Sequence, residues 1–147
     1  MTGRAPTIDQ ECVEGYLFAT PPLRLLLFRR PPERGGIWVP VSGKVEPEDA
    51  DFEAALRREL SEETGLERPR RVVDLDWSVE FAHAGGRWRL HAFAVEVEPG
   101  FVPRLSAEHD AAAWVDPEDA EGRLSYDDNR AAVRRLAAGP GRDAEVD

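Results

Sequence analysis

Between residues 51 and 64 the apolar side chains Phe52, Leu56 and Leu60 recur at every fourth position of an otherwise charged segment. That period predicts one amphipathic helix with a single buried stripe. The same segment carries Glu59, Glu62 and Glu63 at i, i+3 and i+4, spacings that put three carboxylates on one helical face. Like charges so placed weaken a bare helix, so the face is either solvated or neutralised by a cation. Magnesium suits it, because an octahedral shell of hard oxygen donors uses few carboxylates and leaves positions for water and phosphate. Gly65 is a natural helix stop.

The flanking sequence is β-rich. Residues 13–20 (VEGYLFAT) and 23–29 (LRLLLFR) are apolar runs split by Pro21 and Pro22, which excludes one continuous helix and predicts two buried strands around a turn. A Pro-, Arg- and Gly-rich loop over 30–36 leads to a short strand at 37–41 (IWVPV), ending at Ser42 and Gly43. Residues 72–81 and 87–98 form a predicted hairpin around His83-Ala84-Gly85-Gly86. Ala113-Trp114-Val115 reads as one more strand, Pro117 opens a helical turn, and residues 129–138 have helical composition. One domain over 12–138 is expected, with an N-terminal tail over 1–11 and a disordered tail over 139–147. Strands with one central and one C-terminal helix imply an α/β or α+β sandwich.

Composition narrows the function classes. A net charge of −10 argues against binding long nucleic acid, which needs a basic surface to displace counterions. A phosphorylated substrate would have to be bridged to these carboxylates by divalent cations. No apolar run has membrane-spanning length, and the N-terminus lacks the charged-then-apolar pattern of a secretion signal. Cys12 is the only cysteine; it fits a reducing compartment and core filling, and a cytoplasmic protein is expected.

The acidic triad follows Arg58, precedes Thr64-Gly65-Leu66 and lies downstream of Gly43-Lys44-Val45-Glu46-Pro47. This combination resembles the Nudix box, G-x5-E-x7-R-E-U-x-E-E-x-G-U, where U is aliphatic. Arg58-Glu59-Leu60-Ser61-Glu62-Glu63-Thr64-Gly65-Leu66 matches its second half at every specified position. The first half departs from it. Asp49 stands where the box has Glu, and eight residues rather than seven separate it from Arg58, so Glu48 and Asp49 both compete for the missing role. Over residues 12–138 the element order is similar to the Nudix α/β/α sandwich, a mixed central sheet with the box helix on one side and a C-terminal helix.

The resemblance implies Glu59, Glu62 and Glu63 as ligands of Mg²⁺, or Mn²⁺ in its place, with the backbone carbonyl near Ser42 or Gly43 as another. It implies that Arg58 pairs with a carboxylate and fixes its orientation. Residues 105–116 resemble a segment of dihydroneopterin triphosphate or dATP pyrophosphohydrolase-like and diadenosine polyphosphate hydrolase-like members, which makes Glu108 a candidate proton acceptor. His109 reads as a loop or capping residue. Residues 126–130 resemble a stretch before the last helix of the dATP-like group, and capping by Asp128 or Asn129 explains them equally well. Arg29, Arg30 and Lys44 are candidate phosphate contacts. Trp38 either stacks on a base or pterin ring or packs in the core. The implied reaction is attack of water at phosphorus in a nucleoside triphosphate or related nucleotide. The alternatives are a dinucleoside polyphosphate and, disfavoured by the three retained carboxylates, a non-catalytic nucleotide sensor. A homodimer is compatible with the sequence.

Overall fold

The computed structural model describes residues 7–143. Seven strands form one mixed sheet: β1 Gln10–Ala19, β2 Arg24–Arg29, β3 Trp38–Val39, β4 Val41–Lys44, β5 Arg71–His83, β6 Gly86–Glu96 and β7 Ala111–Val115. Four α-helices, α1 Phe52–Thr64, α2 Pro117–Arg123, α3 Asp127–Ala138 and α4 Pro140–Asp143, and a short 3-10 turn at Pro32–Arg34 accompany it among the described residues. The spine of the sheet runs β3-β2-β1-β6-β5, with β4 added on β1 and β7 on β2. β1 and β6 are parallel and every other pairing is antiparallel.

β1 is buried along most of its length, as befits a central strand covered on both faces. Its side chains alternate between two cores. Tyr16 and Phe18 join Leu25, Leu27 and the α3 residues Ala132, Val133 and Leu136 on one face. Val13 and Leu17 join Leu26, Phe28 and the α1 residues Ala55, Leu56 and Leu60 on the other. The expected α/β/α sandwich is the one observed. Among the described residues no helix is long and apolar enough to cross a membrane.

α1 begins where the periodicity begins. Asp51 caps it, its carboxylate accepting from Ala54 N at 2.7 Å, and Gly65 ends it at a positive φ of 75° that favours glycine. Elsewhere the structure corrects the sequence reading. β1 starts at Gln10, inside the segment expected to be a tail, because Glu11 joins the ladder and pairs with Arg89 and His91. Ser42 and Gly43 continue as β4, held on β1 opposite Glu14 and Val13. α3 starts at Asp127 with no side-chain cap, so capping does not account for Asp128 or Asn129. Of the tail expected over 139–147, Pro140–Asp143 are helical, while residues 144–147, like residues 1–6 of the expected N-terminal tail, lie outside the described residues. There Pro140 and Gly141 are buried, and Arg71 donates to Pro140 O at 3.0 Å.

Candidate active site

The apolar stripe of α1 fixes which way its carboxylates point. With Leu56 and Leu60 fully buried against the sheet, Glu59 and Glu63 are carried inward and each is only 8% exposed. Glu62 stands apart with its side chain 59% exposed. The three carboxylates therefore divide two and one instead of sharing one open face. Burial, reinforced by neighbouring negative charge, pushes Glu59 up to about 7 and Glu63 up to about 8. Arg58 pulls Glu59 the other way, and Arg30 does the same to Glu63. Gly43 makes the room for Glu59: a Cβ there would lie 1.8 Å from Glu59 Oε2.

Arg58 is the hub of this end of the helix. Its Nε and Nη2 donate to the two oxygens of Asp49 at 3.0 and 2.8 Å, and Nη2 also donates to Lys44 O at 3.0 Å. Nη1 lies 3.2 Å from Glu46, 3.5 Å from Glu62 and 3.6 Å from Glu59. The irregular loop thereby acquires a definite geometry. Asp49, not the exposed Glu48, faces the helix, and it is engaged by the arginine. The Arg58 guanidinium and the Glu46 backbone N–H hold Asp49 down at about 2. The extra loop residue and the shorter acid compensate one another, since Asp reaches Arg58 across a longer connection.

A cavity of about 810 Å³ opens beside β4. Ser42, Gly43, Lys44 and Arg30 line it, together with Cys12 and Glu14 of β1, Trp88 and Leu90 of β6, and Asn129 of α3. Arg30 lines the cavity, and its charge also lowers Glu63. Arg29 is engaged elsewhere, its Nε donating to Asp110 at 2.9 Å. Trp38 does not line the cavity. It packs against the α3-side core with the guanidiniums of Arg29 and Arg123 at 5.9 and 5.1 Å from its ring. The indole at the cavity is Trp88, with Lys44 Nζ 5.1 Å from its ring centroid. Phe81, opposite Trp88 in the hairpin, and Tyr126 line it as well, each partly exposed. Sequence reasoning missed this trio; the available signal was three aromatics in charged surroundings, which resemble ordinary strand and loop residues.

The loop before β7 meets the carboxylates from the far side. Glu108 is half-exposed and accepts from Arg34 Nη1 at 2.7 Å, and its charge contributes to raising both Glu63 and Glu59. His109 is not a loop-surface residue. Its ring is buried against Phe28, with centroids 5.2 Å apart, and Nδ1 points to Glu63 Oε2 at 3.5 Å. Burial pushes this histidine below its ordinary value.

Among the described residues no three His, Cys, Asp or Glu side chains form a ready-made metal cage. The donors nonetheless fit a hard divalent ion. Glu59, Glu62, Glu63 and the Ser42 and Gly43 carbonyls are all oxygen donors, and Mg²⁺ is typically held by one or two carboxylates plus water and substrate phosphate. Two buried carboxylates carrying raised proton affinity are groups that a cation would neutralise in place of protons.

A family model described as the NUDIX domain matches residues 16–136. An octanoyltransferase of Myxococcus xanthus is 43% identical over 122 residues, which are 80% of this chain and 33% of that protein. This chain therefore spans only a third of that relative's length. The CTP pyrophosphohydrolase of Escherichia coli K12 is 38% identical over 100 residues, covering 66% of this chain and 70% of that one. The solved structure of the E. coli dihydroneopterin triphosphate pyrophosphohydrolase shares the fold, with a TM-score of 0.76 at 21% identity over 90% of this chain and 99% of that one.

Proposed function

This chain belongs to the NUDIX family, and from that premise we propose that it hydrolyses a diphosphate linkage in a nucleoside triphosphate or related nucleotide with a divalent metal. The observation that carries the reading is the buried Glu59 and Glu63 pair on α1, with Glu59 packed against Gly43, which itself lines a ligand-sized cavity. Its volume lies in the range of small-molecule sites.

Glu59, Glu62 and Glu63, with a carbonyl of Ser42 or Gly43, would hold Mg²⁺ or Mn²⁺. The bound ion supplies neutralisation of phosphate oxygens and a lowered pKa for the attacking water. Arg58, tied to Asp49, keeps the helix carboxylates in one arrangement. Arg30 and Lys44 line the cavity where phosphates would lie. Glu108, solvated and near Glu63, accepts the proton of water as its oxygen bonds to phosphorus and the anhydride P–O bond breaks. Trp88, in place of Trp38, offers the ring surface for a base.

A panel of nucleoside triphosphates and dinucleoside polyphosphates, assayed with Mg²⁺ and Mn²⁺ and read by mass analysis of products, tests this. Release of pyrophosphate and a nucleoside monophosphate is expected, and Glu63→Gln should abolish it. Absence of turnover on every nucleotide, or full activity in Glu63→Gln, would overturn the reading.

A further inference from the structure

One buried polar atom beside the carboxylates has no hydrogen-bond partner among the described residues. His109 is 6% exposed, and the atom is its Nδ1. The ring is firmly placed. It packs on Phe28, its own backbone N–H donates to Ser106 O at 3.3 Å, and the next residue is tied to β2 by the bond from Asp110 N to Arg29 O at 2.9 Å. Packing alone gives no reason for a histidine here, because an apolar side chain would fill the space without the cost of an unpaired buried nitrogen. Nδ1 faces Glu63 Oε2 at 3.5 Å, a little beyond the roughly 3.2 Å of an ordinary N–H···O bond. A small movement of either side chain would close that gap. Arg58 Nη1 lies 3.6 Å from Glu59 and 3.5 Å from Glu62, whereas the only ion-pair partner of Glu63 among the described residues is His109.

We infer that His109 is a positioning residue of the cation site: its Nδ1–H engages Glu63 Oε2 when a divalent ion is bound, and holds that carboxylate with its other oxygen left for the ion. The inference rests on the reading of Glu63 as a cation ligand. The direction of the bond follows from charge. A carboxylate that shares its charge with a metal ion carries no proton and can only accept, so the bond forms with the proton on Nδ1, which both the imidazolium and one neutral tautomer provide. Hydrogen bonds of this kind hold a ligating carboxylate in one orientation and sustain metal affinity. Arg58 serves two of the three helix carboxylates in this way, and His109 serves the third. The two neighbours on the loop then divide their work, Glu108 facing outward to Arg34 and His109 facing inward to Glu63.

Three substitutions at this one position separate positioning from packing. His109→Leu fills the space without a donor, His109→Asn keeps an N–H close to where Nδ1 stands, and His109→Gln carries its amide out to where Nε2 stands. Mn²⁺ binding in the absence of nucleotide, followed by electron paramagnetic resonance of the free ion, reads the site directly. The dissociation constant should rise about tenfold to a hundredfold in His109→Leu, return to within about threefold of wild type in His109→Asn, and stay raised in His109→Gln. Without metal, the melting temperature of His109→Leu should equal or exceed that of wild type, since the unpaired nitrogen is gone. Mn²⁺ affinity that is unchanged in His109→Leu, or lowered alike in His109→Leu and His109→Asn, would overturn the inference, and the hydrolase reading survives that result if nucleotides are still turned over. If affinity follows the expected order while no nucleotide is hydrolysed, the hydrolase reading fails and the inference stands.

Discussion

The two faces of the sheet carry polar clusters built in opposite ways. On the α1 face, Glu59, Glu63 and Arg58 come from one continuous stretch of helix and are braced by a loop a few residues upstream. On the α3 face, the buried Glu14, Tyr16 and Asn129 cluster, linked through the Tyr16 hydroxyl at 2.7 and 2.9 Å, joins the second half of the chain to its beginning, Tyr16 and Asn129 being 113 positions apart. The first is a local device whose geometry follows from helical spacing. The second exists only once β1 has been placed beside β6 and α3 has docked over it. Chemistry on the local face and support of the cavity wall on the assembled face is the division that this difference suggests, and substitutions on each face should therefore fail differently.

The most severe break should come from a methyl group. In Gly43→Ala the new Cβ would fall 1.8 Å from Glu59 Oε2, and with the backbone of β4 fixed on β1 the carboxylate must leave its place. We expect a loss in kcat on the order of a hundredfold, at the upper end of what displacing a supporting group costs a metal site. The half-saturating Mg²⁺ concentration should rise and the melting temperature change little. A variant with normal metal dependence would separate Glu59 from metal binding.

Next in size is the pair that the loop leaves ambiguous in sequence. Asp49→Asn removes the charge that both nitrogens of Arg58 grip, and kcat should fall roughly tenfold as the helix carboxylates lose their common anchor. Glu48→Gln, at an exposed position, should leave kcat within about twofold, since substitutions away from such features have small effects. The reverse ranking, from the same steady-state assay, would place the box's first acid at Glu48.

These two substitutions also mark how far the sequence was legible. The helix, its stop and its carboxylates follow from spacing, and so do the strand runs and their sandwich. What spacing could not show is the inward turn of Glu59 and Glu63 with Glu62 left outside, because that depends on how α1 sits on β1 and β4. Nor does it distinguish Trp38 from Trp88. Both are lone indoles in β segments, and only the sheet order sends one beneath two arginines and the other to the cavity. His109 does lie in a loop, but its burial was not legible because the contact with Phe28 joins segments about eighty residues apart.

The tryptophans give a milder and more selective test of the two faces. Trp88→Ala should raise KM for nucleotides on the order of tenfold with kcat nearly kept, the loss expected when one base–ring stack is removed. Trp38→Ala should do the opposite, lowering the melting temperature through lost core contact while leaving KM close to wild type. If Trp38→Ala raises KM and Trp88→Ala does not, the base lies elsewhere.

The smallest effect isolates the assembled cluster through its one carboxyl. Burial, opposed by the hydrogen bond from Tyr16 and reinforced by the charge of Asp128, lifts Glu14 from 4.5 to about 8. A carboxyl whose folded value is raised favours folding in its neutral form. Its contribution is complete below the unfolded value near 4.5 and is lost as pH rises through about 8. Glu14→Gln stays neutral throughout, so its melting temperature should decline less than that of wild type between pH 5 and pH 9. The difference should amount to about 2–4 °C for each kcal/mol in a domain of this size. Glu59 and Glu63 are raised in the same direction but titrate in both proteins, so the comparison removes them. Parallel melting profiles would mean that Glu14 is already ionised in the folded chain at pH 5 and that the cavity wall is more hydrated than its burial implies.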